Sequence, residues 1–107
     1  MLTEQEVIAT AKNYVLERSQ QSGYDLVILD NAEIKKPYGI IFRYNTKKFN
    51  QTRNFNDKKM LGNNPFLVEN KTGKIVVFGS SRELEYYIQE YEAERFTNNS
   101  GFNSSPQ

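Results

Sequence analysis

The segment KKFNQTRNFNDKK, residues 47–59, gathers the side chains with the most chemical potential in this sequence. Lys47, Lys48, Arg53, Lys58 and Lys59 stand against a single acid, Asp57, with Phe49 and Phe55 between them. With Lys35, Lys36 and Arg43 added, residues 35–59 hold eight cations and that one carboxylate, a local charge of +7. Cations interleaved with aromatic rings suit two kinds of partner. They can meet an acidic protein surface, or they can follow a nucleic-acid backbone while the rings stack on bases. The plain alternative is a solvated loop with both rings tucked into the core. Further along the chain the sign reverses. Glu83, Glu85, Glu90, Glu92 and Glu94 outnumber Arg82 and Arg95. Glu90 and Glu94 lie one helical turn apart and can act together, presenting carboxylates to a basic protein as a phosphate backbone would. A solvated helix face is the plain reading here. Tyr86, off the apolar stripe of that helix, is the aromatic expected at the surface. Tyr91 is a second ring within reach of a partner.

Catalysis finds little to work with. The chain has no Cys, no His and no Trp. Thiolate nucleophiles, imidazole bases and Cys/His metal sites are therefore excluded. Asp25, Asp30, Glu33, Asp57 and Glu69 are carboxylates, but no spacing singles out an acid–base pair. Ser80-Ser81 follows Gly79 and reads as a helix cap rather than a nucleophile. Neither a GxGxxG nor a GxxxxGK[ST] phosphate loop is present. The expectation is a non-enzymatic chain that takes no cofactor, metal or small-molecule ligand. Lys and Arg total 14 against 13 Asp and Glu, so the net charge of +1 does not mark the whole chain as a nucleic-acid or membrane binder.

These residues must be held by regular elements. Val7, Ile8, Ala11, Tyr14, Val15 and Arg18 recur at helical period, which predicts a helix over residues 3–20. Thr3 and Glu6 have capping-box spacing, Leu2 and Val7 that of a hydrophobic staple, and Ser22-Gly23 ends the run. Residues 24–30 read as a strand. Residues 31–37 read as a connection. Residues 38–45 alternate as a second strand, with Tyr38, Ile40, Phe42 and Tyr44 on one face. Residues 46–64 are polar and show no period. PFLVEN and KIVVFG form a hairpin around Lys71-Thr72-Gly73, with Gly73 in the left-handed position. Ser80 and Glu83 repeat the capping-box spacing, and Leu84, Tyr87, Ile88 and Tyr91 continue as a helix to about Phe96.

The order α-β-β-β-β-α predicts an α+β fold. Four antiparallel strands pack against an N-terminal and a C-terminal helix, with both helices on one face in two layers. With 107 residues the chain suits one domain, expected over residues 1–96. The polar stretch 97–107 reads as a disordered tail. No run approaches the ~20 apolar residues of a membrane span. The first residues lack the basic start and apolar stretch of a signal peptide, so a soluble cytoplasmic protein is expected.

The strands and the hairpin carry a resemblance. YGIIFRYN is similar to a Gly-Trp-apolar-Phe-aromatic-Tyr strand of the immunity protein 35 family. Residues 61–92 resemble that family's second half: a Gly-x-x-Pro step, a hairpin with Asn70, Thr72 and Gly73, a strand ending in Gly, and a helix rich in Tyr and Glu. The matching positions include Gly39, Phe42, Tyr44, Gly62, Pro65, Gly73 and Gly79. The family's Trp corresponds to Ile40, which shares a face with Phe42 and Tyr44 and is expected in the core. The resemblance implies an immunity protein of a bacterial polymorphic-toxin system. Such a protein binds a cognate toxin encoded nearby and occludes its active or substrate-binding surface. A small nucleic-acid-binding module using residues 47–59, or an orphan chaperone-like binder, is the alternative. The expected contacts are that segment and the polar face of the last helix, Glu83, Tyr86, Glu90 and Glu94. Charge reversal at Lys47, Lys48 and Arg53 is expected to weaken binding of the toxin.

Overall fold

The computed structural model describes residues 1–58 and 63–99, with residues 95–99 as backbone alone. The first element, α1, spans Glu4–Ser22. Its start is the capping box read from the sequence: Glu6 N–H donates to Thr3 Oγ1 at 3.2 Å, and Thr3 N–H donates to Glu6 Oε1 at 2.8 Å. Gly23 closes the helix in the left-handed conformation.

Among the described residues six strands follow α1, arranged as a four-stranded antiparallel sheet and a two-stranded one. They are β1 (Leu26–Ile28), β2 (Ile34–Lys36), β3 (Gly39–Phe42), β4 (Tyr44–Thr46), β5 (Phe66–Glu69) and β6 (Ile75–Val77). The larger sheet has the order β2-β3-β5-β6, and β1 pairs with β4 beside it. The fold class is therefore α+β, with a four-stranded antiparallel sheet between an N-terminal and a C-terminal helix.

The strands are distributed differently from the sequence expectation. Residues 24–30 yield only β1, which lies outside the larger sheet. The expected connection 31–37 supplies β2. The expected strand 38–45 divides at Arg43 into β3 and β4. One physical cause accounts for all three changes. Residues 26–36 run antiparallel to residues 39–46, from Leu26↔Thr46 to Lys36↔Gly39. Between β1 and β2 the chain bends out around Asn31, which takes a φ of 61° that Asn tolerates. Leu29 N–H still reaches Arg43 O at 2.9 Å, so the bend interrupts the ladder without separating the two runs.

The helices lie on opposite faces of the sheet, which corrects the two-layer expectation. Val7, Ala11 and Val15 of α1 pack with Ile40, Phe42, Tyr44, Phe66 and Val68. Ile88 of α3 (Leu84–Asn99) packs with Ile41, Leu67, Phe78 and Tyr38. Neighbouring positions 40 and 41 point to opposite sides of a strand, and both are buried. A sheet apolar on both faces needs a cover on each. Gly39 stands where β3 and β5 approach most closely: a Cβ there would lie 2.2 Å from Val68 O. Gly73 turns the β5–β6 hairpin at a φ of 82°, in the conformation its position predicts.

Two further expectations change. Residues 46–58 are not free of regular structure. Thr46 Oγ1 accepts Phe49 N–H and starts α2 (Lys47–Thr52), and Asn54 caps a single 3-10 turn, Phe55–Asp57. Ser80 does not cap α3, because the helix begins four residues later and Glu83 directly precedes it. That helix also runs past Phe96 to Asn99. Lys59, Met60, Leu61, Gly62 and the rest of the expected tail, 100–107, lie outside the described residues.

Candidate binding surfaces

The basic segment is a braced protrusion. Its backbone is tied to the start of β1, where Lys47 N–H donates to Asp25 O at 2.8 Å. Asn50 exchanges two hydrogen bonds with Asp30: Oδ1 accepts the Asp30 N–H at 2.9 Å, and Nδ2 donates to its carboxylate at 3.0 Å. Asp57 closes the loop on itself. Its carboxylate accepts Thr52 Oγ1–H at 2.7 Å, and its carbonyl accepts the Thr46 hydroxyl at 3.0 Å. Lys48 lies 3.5 Å from the same carboxylate. Arg53 caps α2 in the left-handed conformation, φ 54°, and its guanidinium donates to Asp30 O and to Asn50 Oδ1. Arg53 and Lys48 thus serve the loop itself, leaving Lys47 and Lys58 as its outward cations among the described residues.

The two rings differ. Phe49 is half-buried, whereas Phe55 is 76 % exposed. Lys58 Nζ stands 5.8 Å from the Phe49 ring centre and 5.6 Å from that of Phe55, within cation–π range. The core therefore does not absorb Phe55. Next to this protrusion a groove of about 1040 Å³ opens between α1, β1 and α2. Ile8, Leu16, Leu29 and Phe42 supply apolar lining, and Lys47 stands on its rim. Leu16 is 55 % exposed, unusual for a Leu on a helix that faces a core.

The acidic helix face divides. Glu92 turns inward: Tyr38 O–H donates to its carboxylate at 2.6 Å and Lys36 Nζ lies 3.3 Å away. The Tyr38 hydrogen bond, aided by Lys36, holds Glu92 below the usual carboxylate range against the opposing effect of partial burial. Tyr91 is half-buried and donates to Glu69, so it is anchored in the fold rather than offered to a partner. Tyr86 is 41 % exposed, with the Arg82 guanidinium carbon 4.6 Å from its ring centre. Glu83, Glu90 and Glu94 are exposed. Glu90 and Glu94 line a second groove, of about 630 Å³, with Tyr87, Phe78, Val76 and Val77.

The expected contact residues thus fall into two separate places. The basic segment packs on β1 and β4, at the edge the chain shares with β2. Glu90 and Glu94 lie beside β6, the other edge of the larger sheet. Of the motif residues, Ile40, Phe42 and Tyr44 are buried against α1, which places Ile40 in the core as expected. Pro65 O accepts Phe78 N–H and closes the β5–β6 ladder. A Cβ at Gly79 would meet the Tyr87 ring at 2.7 Å.

The candidate acids each have a structural partner or an open setting. Asp30 holds Asn50, Asp57 holds Thr52, and Glu69 holds Tyr91. Ser81, rather than acting as a cap, meets the Tyr87 hydroxyl at 2.7 Å. Among the described residues no group of three or more carboxylates is placed to hold a metal ion. No described helix is long and apolar enough to cross a membrane. The first groove escaped sequence reasoning, because the bend at residues 29–33 and the α2 cap that shape it depend on register. The exposed Leu16 was its one local signal.

Comparison with known proteins adds one relative. The chain is 26% identical over 97 residues to the uncharacterized protein YrhB of Escherichia coli K12, covering 91% of this chain and 96% of that protein. No protein-family model matches the chain. No solved structure matches it.

Proposed function

We propose that this chain is an immunity-type protein that binds a cognate toxin in the bacterial cytoplasm and occludes its active or substrate-binding surface. The observation that carries the reading is Phe55, an exposed ring beside Lys58 on a loop whose backbone is already fixed by Thr46, Asn50 and Asp57. Preorganised aromatic and cationic groups lose little freedom on binding, which is how interface anchors gain affinity. The partner surface is acidic, to match Lys47 and Lys58. The likeness of the strands and the hairpin to the immunity protein 35 family supports the same role. No step of this function calls for a catalytic residue, cofactor or metal.

The test is capture of the partner by tagged chain from a nuclease-treated lysate of the source organism. The variant to compare is Lys47→Glu, Phe55→Ala, Lys58→Glu. Arg53 is left intact because its guanidinium braces the loop. Wild type is expected to retain one stoichiometric protein that inhibits growth when expressed alone. The triple variant is expected to lose it by at least about tenfold in affinity. Equal capture by both chains would move the contact elsewhere. The same rings and cations also fit single-stranded nucleic acid. Recovery of nucleic acid alone from an untreated lysate, lost between about 50 and 200 mM salt, would establish that alternative instead.

A further inference from the structure

The outer strand β6 (Ile75–Val77) pairs with β5 alone among the described residues. Its ladder contacts define which backbone groups remain open. Lys74 O accepts Glu69 N–H, and Phe78 N–H donates to Pro65 O, both at 2.9 Å. Residues 74, 76 and 78 therefore direct their backbone groups inward, in the alternation of an antiparallel ladder. Ile75 and Val77 direct theirs outward, to an edge that no described strand covers. Natural sheets blunt such edges with charge, proline or a covering segment. Here the edge is Ile-Val-Val, and Val77 is 52 % exposed.

The groove beside this edge has a definite chemistry. Val76, Phe78 and Tyr87 form its floor, and among the described residues Glu90 and Glu94 are the only ionisable groups besides tyrosine that line it. Lys74 precedes the strand at the hairpin end, outside the groove lining. We propose that β6 and this groove take up an extended basic segment of a partner protein as an added antiparallel or parallel strand. The residues of an added strand alternate between faces. On one face they meet Glu90 and Glu94, where lysine or arginine fits. On the other they lie beside Ile75 and Val77, where an apolar side chain fits. The matching motif is an alternation of basic and apolar residues.

A second copy of this chain fits poorly. Pairing two β6 edges would bring two Glu90/Glu94 pairs to one seam, where like charges repel. The chain's own basic segment is wound into α2 and a 3-10 turn, so it is not available as a strand. This proposal goes beyond the toxin-binding reading and uses a different edge of the sheet.

The experiment is fluorescence anisotropy of the full chain with two short dye-labelled peptides, one of alternating valine and lysine and one of alternating valine and glutamate. The lysine peptide is expected to bind at least about tenfold more tightly than the glutamate peptide at physiological salt. Val77→Pro removes an outward N–H and no ladder bond, and proline is tolerated at sheet edges. It is expected to abolish binding while the melting temperature stays near wild type. Glu90→Lys with Glu94→Lys is expected to reverse the peptide preference, and it decides the matter if the proline variant does not fold. The triple variant at residues 47, 55 and 58 is expected to bind the lysine peptide as wild type does, so failure of the toxin-binding reading leaves this one standing. Equal binding of the two peptides overturns the proposal. So does a preference unchanged by the double Glu variant, or sedimentation of the free chain as a dimer that excludes the peptide.

Discussion

The two faces of the sheet are covered in different ways. The α1 face is a continuous apolar contact, with Val7, Ala11, Val15, Phe66 and Val68 all buried and Tyr14 packed 4.5 Å from the Phe66 ring centre. The α3 face has a smaller buried centre, Ile41, Leu67, Phe78 and Ile88, ringed by the buried Tyr38 and the half-buried Tyr87 and Tyr91. Their hydroxyls are tied down individually: Tyr38 to Glu92, Tyr91 to Glu69, and Tyr87 to Ser81. One helix is held by area removed from water, the other by a few anchored rings around a modest core. Each face leaves a groove at its margin, and the one at α3 is bordered by two of these rings, Tyr87 and Tyr91.

That contrast can be broken from either side. The largest expected effect is Phe66→Ala, which empties the centre of the α1 face. A loss of about 3–5 kcal/mol in urea unfolding is expected, enough to unfold a marginal domain. Ile88→Ala removes the centre of the α3 face, where half-exposed neighbours can settle into the gap. Its expected cost is about 2–3 kcal/mol, and a value equal to that of Phe66→Ala would erase the distinction between the faces.

The smallest effect sharpens the comparison through pH. Tyr38→Phe removes the hydrogen bond that holds Glu92 below its ordinary value of 4.5. A carboxylate whose folded pKa is lowered contributes stability that is present above the unfolded value and lost as pH falls through the folded one. The variant is therefore expected to be about 1 kcal/mol less stable than wild type near neutral pH, with the gap closing in acid. Unfolding curves at about pH 7 and about pH 3 measure the gap, and a gap that does not change with pH would show that Glu92 plays no part in it.

How far the sequence alone could be read depended on how locally each feature is determined. The start of α1 needs only Thr3 and Glu6, three positions apart, and the hairpin needs only Gly73. Both were legible. The helix order and the antiparallel class followed from short connections. The opposite placement of the two helices did not, although Ile41 carried the signal: a strand apolar at 40, 41 and 42 has no solvent face. The strand β2 was hidden by its sequence, Ile-Lys-Lys, which has a polar appearance because it lies at an edge. Arg53 in a left-handed cap and the Asp30–Asn50 brace depend on a contact across twenty positions, which no local pattern encodes. For the same reason the basic segment looked unstructured. Its charge was visible, but not the division of labour among its cations. Glu90 and Glu94 were read as a pair, but the open edge beside them required knowing that β6 is the last strand.

One contact sets an order on how the chain is made. Leu2 N–H donates to Asn70 O at 2.7 Å, and the Leu2 side chain lies against Gly73. Leu2 leaves the ribosome well before Asn70 and Gly73, so this contact waits for the hairpin. The apolar stripe of α1 likewise waits for Phe66 and Val68. Until then Val7, Ala11 and Val15 have Leu26, Ile40, Phe42 and Tyr44 beside them but lack the Phe66 and Val68 of β5. Although α1 is capped by its own residues, its packing is complete only once β5 has emerged. A ribosome stalled before the hairpin would hold a chain whose α1 face is only partly covered, with the places of Phe66 and Val68 still open.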